Sequence, residues 1–464
     1  MFFYLTTAEL IGELVMIRKN LSAPGLYALT RDSFSSIPDH RVQKNIIYPL
    51  DETLSAGLAI FSLKQPSLLK FIEIANDGNH GKNIRALFKI SKVPSETQLR
   101  DILDPINPEA IRPVYDNILS ALQRGNELKD FAVMSHYLIC LDGTGYFSSS
   151  QIRCPHCLIK KTKGGDEEEC TYHHQMLGAS IVSPFLKQVI PLFPEPIMNE
   201  DGMTKNDCER NASKRWIEKF RKNHPKMHVI ILEDSLASNV PHLQTLTENN
   251  CRYITGVKEA DHKYLFEQFE INSHTGCTNK LQETIQNGIK IIKTTTRNYE
   301  YVSGLELNRT NPDFKTNMVF FTEEIKYTDA KGKKHCHKTT FTWVTDLELN
   351  EKDLPLFVAC ARRRWAIENE NFQTLKKTTD YNLEHNYGHG KEYLAINFAL
   401  LCILSFLIDQ VQEFACEIFK EILSKTSSKR GLWEKIRGAF EWRIINKWED
   451  LLELLLNRSL NNTA

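Results

Sequence analysis

Two kinds of hydrophobic pattern follow one another in the first half of this chain. Residues 49–124 carry apolar side chains at helical spacing, and Ser95 followed by Gln98 forms a capping box that predicts a helix start. From Tyr137 the apolar runs become short and rich in β-forming residues, as in YLICLDGTGYFSS, MLGASIVS and KQVIPLF. The pattern predicts a helical segment followed by three strands in succession.

The helix that begins after Ser95 allows two interpretations. With the apolar stretch around Leu87 and Ile90 before it, the segment has the layout of a helix-turn-helix that reads DNA. Two core helices of an all-α domain are the other interpretation, and the pattern favours it because only some short helix pairs contact DNA.

Helices and strands alternate beyond the third strand. A polar amphipathic stretch over 207–221 is followed by the strand MHVIILED, a helical segment near 240–249 and the strand RYITGVKE. The order βββ-α-β-α-β is that of a ribonuclease H-like core. Residues 286–345 are strongly β and predict an inserted antiparallel sheet, and helical signals dominate from Leu354 onwards. The predicted fold class is therefore α/β: a ribonuclease H-like core with an inserted antiparallel β-sheet, a helical N-terminal domain and a helical C-terminal region.

Charge and composition limit the kinds of binding partner and the location that the sequence predicts. The 58 basic and 58 acidic residues balance, so any DNA binding must come from local patches and not from a global field. The longest apolar run, Leu394 to Ile408, is shorter than the ~20 residues that span a bilayer, which predicts a buried helix and no membrane partner. The first 20 residues lack the order of a secretory signal, which predicts a cytoplasmic protein. Eleven cysteines indicate reduced thiols with a metal site among a few of them.

Three carboxylates have the surroundings of a catalytic metal site. Asp142 ends or interrupts the apolar strand LICL, and Asp234 follows VIIL with Glu233 beside it. A carboxylate at a buried strand end must be paired or bound to a cation, although a turn-capping aspartate is the alternative for either residue alone. Glu368 lies in ARRRWAIENENFQTLKK, where α-helical phase predicts that it shares an apolar stripe with Trp365, Phe372 and Leu375 and that Glu370 faces elsewhere.

Taken together, the three acids indicate phosphodiester chemistry. The ends of the first and fourth strands of a ribonuclease H-like core lie side by side, and a helix after the core can bring in a third acid. Such ligands suit Mg²⁺, or Mn²⁺ in its place, and two ions ~3.5–4 Å apart would act on the attacking and leaving oxygens. A pairing of Glu368 with Arg364, four residues earlier, remains the alternative for that residue.

A second group of residues has zinc-finger spacing. Cys154 and Cys157 form a Cys-x2-Cys pair, and twelve residues later Cys170 and His173 form a Cys-x2-His pair, with His174 as an alternative to His173. Four such ligands suit tetrahedral Zn²⁺ and leave no open position, so the predicted site is structural.

Several of these segments together resemble the DDE transposases of bacterial insertion sequences. The matching segments are LDGTGYFSS, the CPHC pair with YHHQML, KNDCERNASKRW, EDSLASNVPHL, ITGVKEADH, and RRRWAIENENFQTLKK with LEHNYGHG. The resemblance covers most of the chain. It implies strand cleavage and strand transfer at element ends by a protein that binds element and target DNA as a homo-oligomer.

The resemblance also implies roles for individual residues. Asp142, Asp234 and Glu368 correspond to the family's catalytic triad, and Arg364 and Lys376 to a basic pair that contacts DNA near the scissile phosphate. Lys377, which follows directly, adds to this basic patch. The chain departs from the family at Ala361, where related proteins often carry tyrosine, and Lys376 lies one residue further from the glutamate than usual.

Two other functions remain open: an inactive, transposase-derived zinc-containing DNA-binding protein, and a structure-selective nuclease with the same core. The predicted units are 1–128, a helical N-terminal domain that can bind DNA; 129–258, the first part of the catalytic core with a zinc-binding insertion at 151–175; 259–348, an inserted β-rich domain; 349–410, the helical completion of the core; and 411–464, a C-terminal helical region.

Overall fold

The computed structural model describes most of the chain. It covers residues 21–460 apart from 43, 45, 165–166, 200–205, 275–278, 288–292, 330–331 and 379. The N-terminal stretch, in which we predicted no secretory signal, lies outside the described residues. Within them the protein is a mixed α/β structure, which confirms the α/β part of the predicted fold class.

Helices flank the strands on both sides in the sequence, as predicted. The one that begins after Ser95 has the predicted capping box, with the Ser95 hydroxyl and the Gln98 side chain each bonded to the other residue's backbone. The described α-helices are α1 Ala23–Ser35, α2 Leu50–Ser62, α3 Leu68–Ala75, α4 Gly78–Phe88, α5 Glu96–Leu103, α6 Arg112–Arg124, α7 Glu209–Asn223, α8 Val240–Glu248, α9 Lys263–His274, α10 Leu354–Arg362, α11 Leu394–Ala415, α12 Glu417–Ser424, α13 Lys429–Trp442 and α14 Trp448–Leu460.

All named strands belong to one sheet. They are β1 Ala132–Val133, β2 His136–Ser149, β3 Leu158–Gly164, β4 Glu167–Val182, β5 Ile190–Pro191, β6 Glu195–Ile197, β7 Val229–Glu233, β8 Cys251–Gly256, β9 Asn279–Asn287, β10 Lys293–Glu306, β11 Lys315–Thr328 and β12 Lys334–Thr345. The order across the sheet is β3-β4-β2-β7-β8-β12-β11-β10-β9, with β1 beside β2 and with β5 and β6 beside β4.

The strand directions divide this sheet into two kinds of pairing. β2 runs antiparallel to β4 and parallel to β7, and β7 runs parallel to β8. β12 pairs antiparallel with β8, so the predicted inserted strands extend the same sheet. The third predicted strand, KQVIPLF, contributes only the two residues of β5, whereas β9 is a strand that the sequence pattern did not predict.

The apolar run beginning at Leu394 is confirmed as a buried helix. α11 is long and apolar enough to cross a membrane by composition alone, but 94% of its most apolar window is buried inside the protein. It belongs to a hydrophobic core that runs from Leu21 to Leu455 and includes α2, α4 and α5. Ile84 and Leu87 of α4 and Leu99 and Ile102 of α5 are buried in it, as the interpretation of two core helices expects.

Candidate functional site

Asp142 and Asp234 lie at the same level of two neighbouring parallel strands. Asp142 interrupts β2 well before its end, and Asp234 follows the last residue of β7. The pairing of Cys140 with Leu232 sets the register, and continuing it by two residues brings the two aspartates level with each other. Neighbouring strands are about 4.8 Å apart, so both carboxylates border the same cleft.

Glu233, the neighbour of Asp234, is engaged elsewhere. Its side chain is buried, with one carboxylate oxygen 2.6 Å from His242 Nε2 and the other accepting a 3.0 Å hydrogen bond from Ser213 Oγ. Burial lowers the pKa of His242, but the Glu233 carboxylate outweighs this and raises it. Asp234 instead accepts a 2.9 Å bond from the Leu236 N–H and keeps its second oxygen for other partners. The two adjacent acids therefore differ in their partners: side chains engage both oxygens of Glu233, whereas Asp234 bonds a backbone N–H through one oxygen.

Glu368 lies on a π-helical segment, Ile367–Phe372, and not on the regular α-helix that the sequence pattern implied. A π-turn holds more residues than an α-turn, so the phase of the segment shifts. Glu368 is therefore half-exposed, with 46% of its side chain accessible, and Trp365, expected to share a buried stripe with it, is 43% exposed. The buried positions of this region include Ile367, Asn371, Phe372 and Leu375. The prediction of an apolar stripe around Glu368 was wrong for this reason.

Arg364 joins two of the three acids. Its guanidinium lies 2.7 Å from Glu368 Oε1 and 3.3 Å from Asp142 Oδ2. The pairing of Arg364 with Glu368, left open by the sequence, is present, but it does not separate Glu368 from the other acids. One guanidinium brings Glu368 to Asp142 and so gathers acids from two distant parts of the chain.

A fourth carboxylate, Glu209, belongs to the same cleft and was missed by the sequence reasoning. It is the first residue of α7, and a side chain at position 143 would collide with its carboxyl group, so the absence of a Cβ at Gly143 makes room for it. Burial raises the pKa of Glu209, and Asp234 adds to this shift. The available signal was its place at the start of an amphipathic helix, within a segment that resembles the transposase family.

The acids of the cleft disfavour one another's ionised forms. Burial raises the pKa of Asp142 to about 6; Arg364 opposes that shift, while Glu368, Asp234 and Glu209 add to it. Arg364 pairs with only two of these four carboxylates, Asp142 and Glu368, and Arg210 is the basic residue in the lining of the cleft, so the acids outnumber the basic groups. Hard oxygen donors with excess charge, beside a cleft of about 480 Å³, suit a divalent cation.

The predicted basic residues lie at different distances from this centre. Lys376 Nζ donates a 2.6 Å hydrogen bond to the carbonyl of Gly145, on the same strand as Asp142, and lies 3.0 Å from Glu384. Lys377 is exposed. The segment that carries them is held to β4 because Asn371 Nδ2 donates a 2.6 Å bond to Ser180 Oγ and the Phe372 ring packs on Gly178.

A second cleft, of about 590 Å³, opens on the other side of Asp234. Phe341 is part of its lining: the Phe341 ring centroid is 5.6 Å from that of Trp343 and 5.6 Å from that of Trp365, and the Arg362 guanidinium lies 5.3 Å from it. Lys258 and Arg364 add positive charge to the lining. The cleft therefore combines aromatic faces with basic groups and with the acids Glu233, Asp234 and Glu259.

Four other residues form the Cys2His2 cluster: Cys154, Cys157, His174 and His389. Their ligand atoms all lie within 4.8 Å of one another, so the cluster can hold a metal such as zinc. Two of the predicted ligands, Cys154 and Cys157, belong to it, and His174 is a member where the prediction preferred His173.

Cys170 and His173 are not part of the cluster, which corrects the predicted ligand set. The residues between the two predicted pairs form a β-hairpin, in which Cys170 pairs with Lys161, four residues along β3 from Cys157. At about 3.3 Å per residue, four residues of strand place Cys170 roughly 13 Å along the hairpin from the end at which Cys157 lies. His173 points to the opposite face of β4 from His174 because side chains alternate along a strand. His389 takes the fourth position from a distant loop.

Comparison of the chain with protein-family models and with curated proteins finds no match. The functional inference therefore rests on the fold and on the chemistry of these two groups of residues.

Proposed function

We propose that this protein is a DDE transposase that cleaves DNA strands at the ends of an insertion element and joins them to target DNA with the help of divalent metal ions. The observation that carries the proposal is the grouping of three acids: Asp142 and Asp234 border one cleft, and the Arg364 guanidinium joins Glu368 to Asp142. These acids come from two adjacent parallel strands and from a segment more than a hundred residues further along the chain. Excess negative charge in a cleft has no structural purpose by itself, because it costs stability.

The strand order supports a ribonuclease H-like core. In that fold the first three strands are antiparallel neighbours, and the fourth and fifth lie parallel to the first on its other side. Here β5, β4, β2, β7 and β8 are neighbours in that order, with β2, β7 and β8 parallel. In the proposed core, Asp142 on β2 and Asp234 after β7 take the first-strand and fourth-strand positions.

The residues present fit Mg²⁺ or Mn²⁺. Asp142, Asp234 and Glu368 would hold the ions, with Glu209 beside them, and the Arg364 guanidinium already bridges two of these carboxylates as a cation would. A pair of such ions supplies activation of a water or 3′-hydroxyl nucleophile and stabilisation of the leaving oxygen. The cleft supplies the position for the scissile phosphate.

The basic residues have roles of their own in this proposal. Arg364 is free to turn to a phosphate when metal ions take over the charge of Asp142 and Glu368, and a guanidinium binds phosphate through two parallel hydrogen bonds. Lys376 donates to the Gly145 carbonyl of strand β2, and Lys377 is exposed for contact with the DNA backbone. The aromatic cleft beyond Asp234 offers stacking surfaces for DNA near the break.

The remaining parts of the proposal concern the oligomeric state, the location and the second metal. A protein that joins two element ends to one target works as a homo-oligomer on DNA. We place it in the cytoplasm, with no membrane partner, and assign Zn²⁺ as a structural ion to the Cys2His2 cluster.

A cleavage and joining assay tests the proposal against its alternatives. The purified chain is incubated with Mg²⁺, a target plasmid and DNA carrying the inverted repeats that should flank its reading frame. A transposase gives 3′-hydroxyl ends and covalent joint products. Cleavage without joining would instead indicate a structure-selective nuclease, and binding without cleavage a non-catalytic zinc-containing DNA-binding protein.

Gly143→Ala is expected to lower the cleavage rate about tenfold or more while changing stability little. The new methyl group would displace the flexible end of Glu209 from the cleft, and tenfold corresponds to ~1.4 kcal/mol of transition-state stabilisation. Gly145→Ala is the matched control on the same strand, since its nearest neighbours would be 3.8 Å away. Equal rates for the two variants would show that Glu209 has no part in the reaction.

Asp142→Asn is expected to stabilise the metal-free protein at pH 8. The folded-state pKa of about 6 lies above the unfolded value of ~3.9, so the fold favours protonated Asp142. The native state therefore loses stability as the pH rises from about 4 to about 6, by up to ~3 kcal/mol in all, of which about half falls above pH 5, and asparagine removes this loss. Urea unfolding at pH 5 and pH 8 measures it: the variant's advantage should grow with pH and shrink when Mg²⁺ is added, and a constant difference would contradict the account.

A further inference from the structure

We infer that the Cys2His2 cluster holds one tetrahedral Zn²⁺. By binding His389 together with Cys154, Cys157 and His174, this ion would attach the loop around His389 to the β3–β4 hairpin. We call this attachment the clasp, and it fixes the Glu368 segment against strand β2. The metal assignment and the clasp stand on the geometry of the cluster. The consequence for catalysis rests on the proposed function.

Five of the six distances within the cluster are close to the edges of a zinc tetrahedron, and the sixth, from Cys154 Sγ to His389 Nε2, is within 4.8 Å. Zn–S bonds of ~2.3 Å and Zn–N bonds of ~2.0–2.1 Å give edges of about 3.8 Å between two sulfurs, 3.6 Å between sulfur and nitrogen and 3.4 Å between two nitrogens. The two sulfurs lie 3.8 Å apart, and the two Nε2 atoms lie 3.2 Å apart. His174 Nε2 lies 3.5 Å from Cys154 Sγ and 3.4 Å from Cys157 Sγ. His389 Nε2 lies 3.3 Å from Cys157 Sγ. Two thiolates and two imidazoles are the donor set that selects zinc.

The surroundings of His389 prepare it as a ligand. Its Nδ1 lies 3.2 Å from the carbonyl oxygen of Gly390, so that nitrogen carries the proton and Nε2 is left to coordinate. Gly390 has a φ of +72°, and a side chain there would collide with Asp104 and Leu394. The Asp104 carboxylate accepts hydrogen bonds from the backbone N–H groups of Lys391, Glu392 and Leu394. The loop is thus shaped before any metal binds.

The clasp acts on the segment that carries Glu368. The longer stretch from Arg364 to His389, which includes this segment, contacts β2 at its beginning, where Arg364 joins Glu368 to Asp142, and in its middle, where Lys376 donates to Gly145. The zinc cluster supplies a third attachment at its far end, because Phe147 of β2 packs against the His389 ring at 4.6 Å. Loss of the ion would release that end and loosen the position of Glu368.

Metal content tests the ligand assignment without any catalytic assay. We expect the full-length protein to contain about one zinc per chain, and Co²⁺ exchanged into the site to show the sulfur-to-cobalt charge-transfer and tetrahedral d–d bands of an S2N2 site. His389→Ala should weaken metal binding more than ~100-fold, beyond the usual cost of losing an outer-shell partner. The matched control is His173→Ala, which changes a residue adjacent to His174 that faces away and should keep both zinc and spectrum.

His389→Cys guards against a variant that simply fails to fold. A Cys3His set should retain zinc, with a cobalt spectrum shifted towards that of three sulfur ligands. Wild-type protein without zinc or cobalt binding would overturn the metal site. A His389→Ala variant that keeps full zinc content and tetrahedral bands would overturn the clasp.

Hydrogen exchange tests the consequence for the Glu368 segment. In the wild-type protein, backbone amides of 367–377 should exchange about tenfold faster or more after zinc removal than in the loaded form. Unchanged exchange of these amides would show that the ion stabilises only the β3–β4 hairpin, and would reject the clasp. Since neither measurement uses DNA, a failure of strand transfer with these results intact would reject the proposed function alone.

Discussion

Replacing Glu368 by glutamine is expected to lower the rate of DNA strand cleavage about 10³-fold or more. The glutamine keeps the size of the side chain but removes the charge that would hold a divalent cation opposite Asp142. A loss of ~4 kcal/mol in transition-state stabilisation corresponds to this factor. The measurement is a single-turnover cleavage assay on DNA that carries the element end, with Mg²⁺ present.

Glu370→Gln is the matched control for this loss. Glu370 lies two residues away on the same π-helical segment, but its partner is Arg363, at 3.3 Å, and not Arg364. We expect its cleavage rate to stay within about threefold of the wild type, while Asp142→Asn should fall as far as Glu368→Gln. All three variants should still bind DNA. Equal losses for Glu368→Gln and Glu370→Gln would show that the segment matters only for folding.

Asp409→Ala is expected to destabilise the protein by about 3–5 kcal/mol, the usual cost of leaving one charge of a buried pair without its partner. Lys64 Nζ lies 2.6 Å from Asp409 Oδ2, and both side chains are buried in the helical core. Burial lowers the pKa of Lys64, and Asp409 opposes that shift. Tyr381, between Lys376 and His389, also donates to Asp409 at 2.5 Å. Urea unfolding measures the loss.

A double variant separates the charge from the packing. Lys64→Met combined with Asp409→Leu removes both charges, and we expect it to be more stable than Asp409→Leu alone, because no unpaired ammonium group remains buried. If the two substitutions simply add, the pair does not interact and this account of the helical core is wrong.

The parts of the fold that depend on neighbouring residues were predictable from the sequence. The capping box at Ser95 and the buried helix α11 are local patterns, and both are confirmed. The apolar runs before Asp142 and Asp234 predicted strands that the structure contains. Four consecutive apolar residues can be recognised in the sequence without knowledge of tertiary contacts. Which of the two adjacent acids has both carboxylate oxygens engaged by side chains depends on the partners of Glu233, and these come from α7 and α8.

Other features depend on contacts that a linear pattern does not contain. The phase of Glu368 was wrong because the segment contains π-turns, which leave no mark in apolar spacing. His389 is 215 residues from His174, so finger-like spacing within 154–173 could not include it. Glu209 comes into the cleft only because Gly143 leaves room for it on a strand from another part of the chain.

The most direct test of the central claim is a crystal structure of the protein with Mn²⁺ and DNA carrying an element end, with the metal located by anomalous scattering. We expect two Mn²⁺ ions ~3.5–4 Å apart, ligated by Asp142, Asp234 and Glu368, with Arg364 turned from these carboxylates to a phosphate. Strong anomalous peaks elsewhere, with Arg364 still bridging Asp142 and Glu368 at full Mn²⁺ occupancy, would contradict the account.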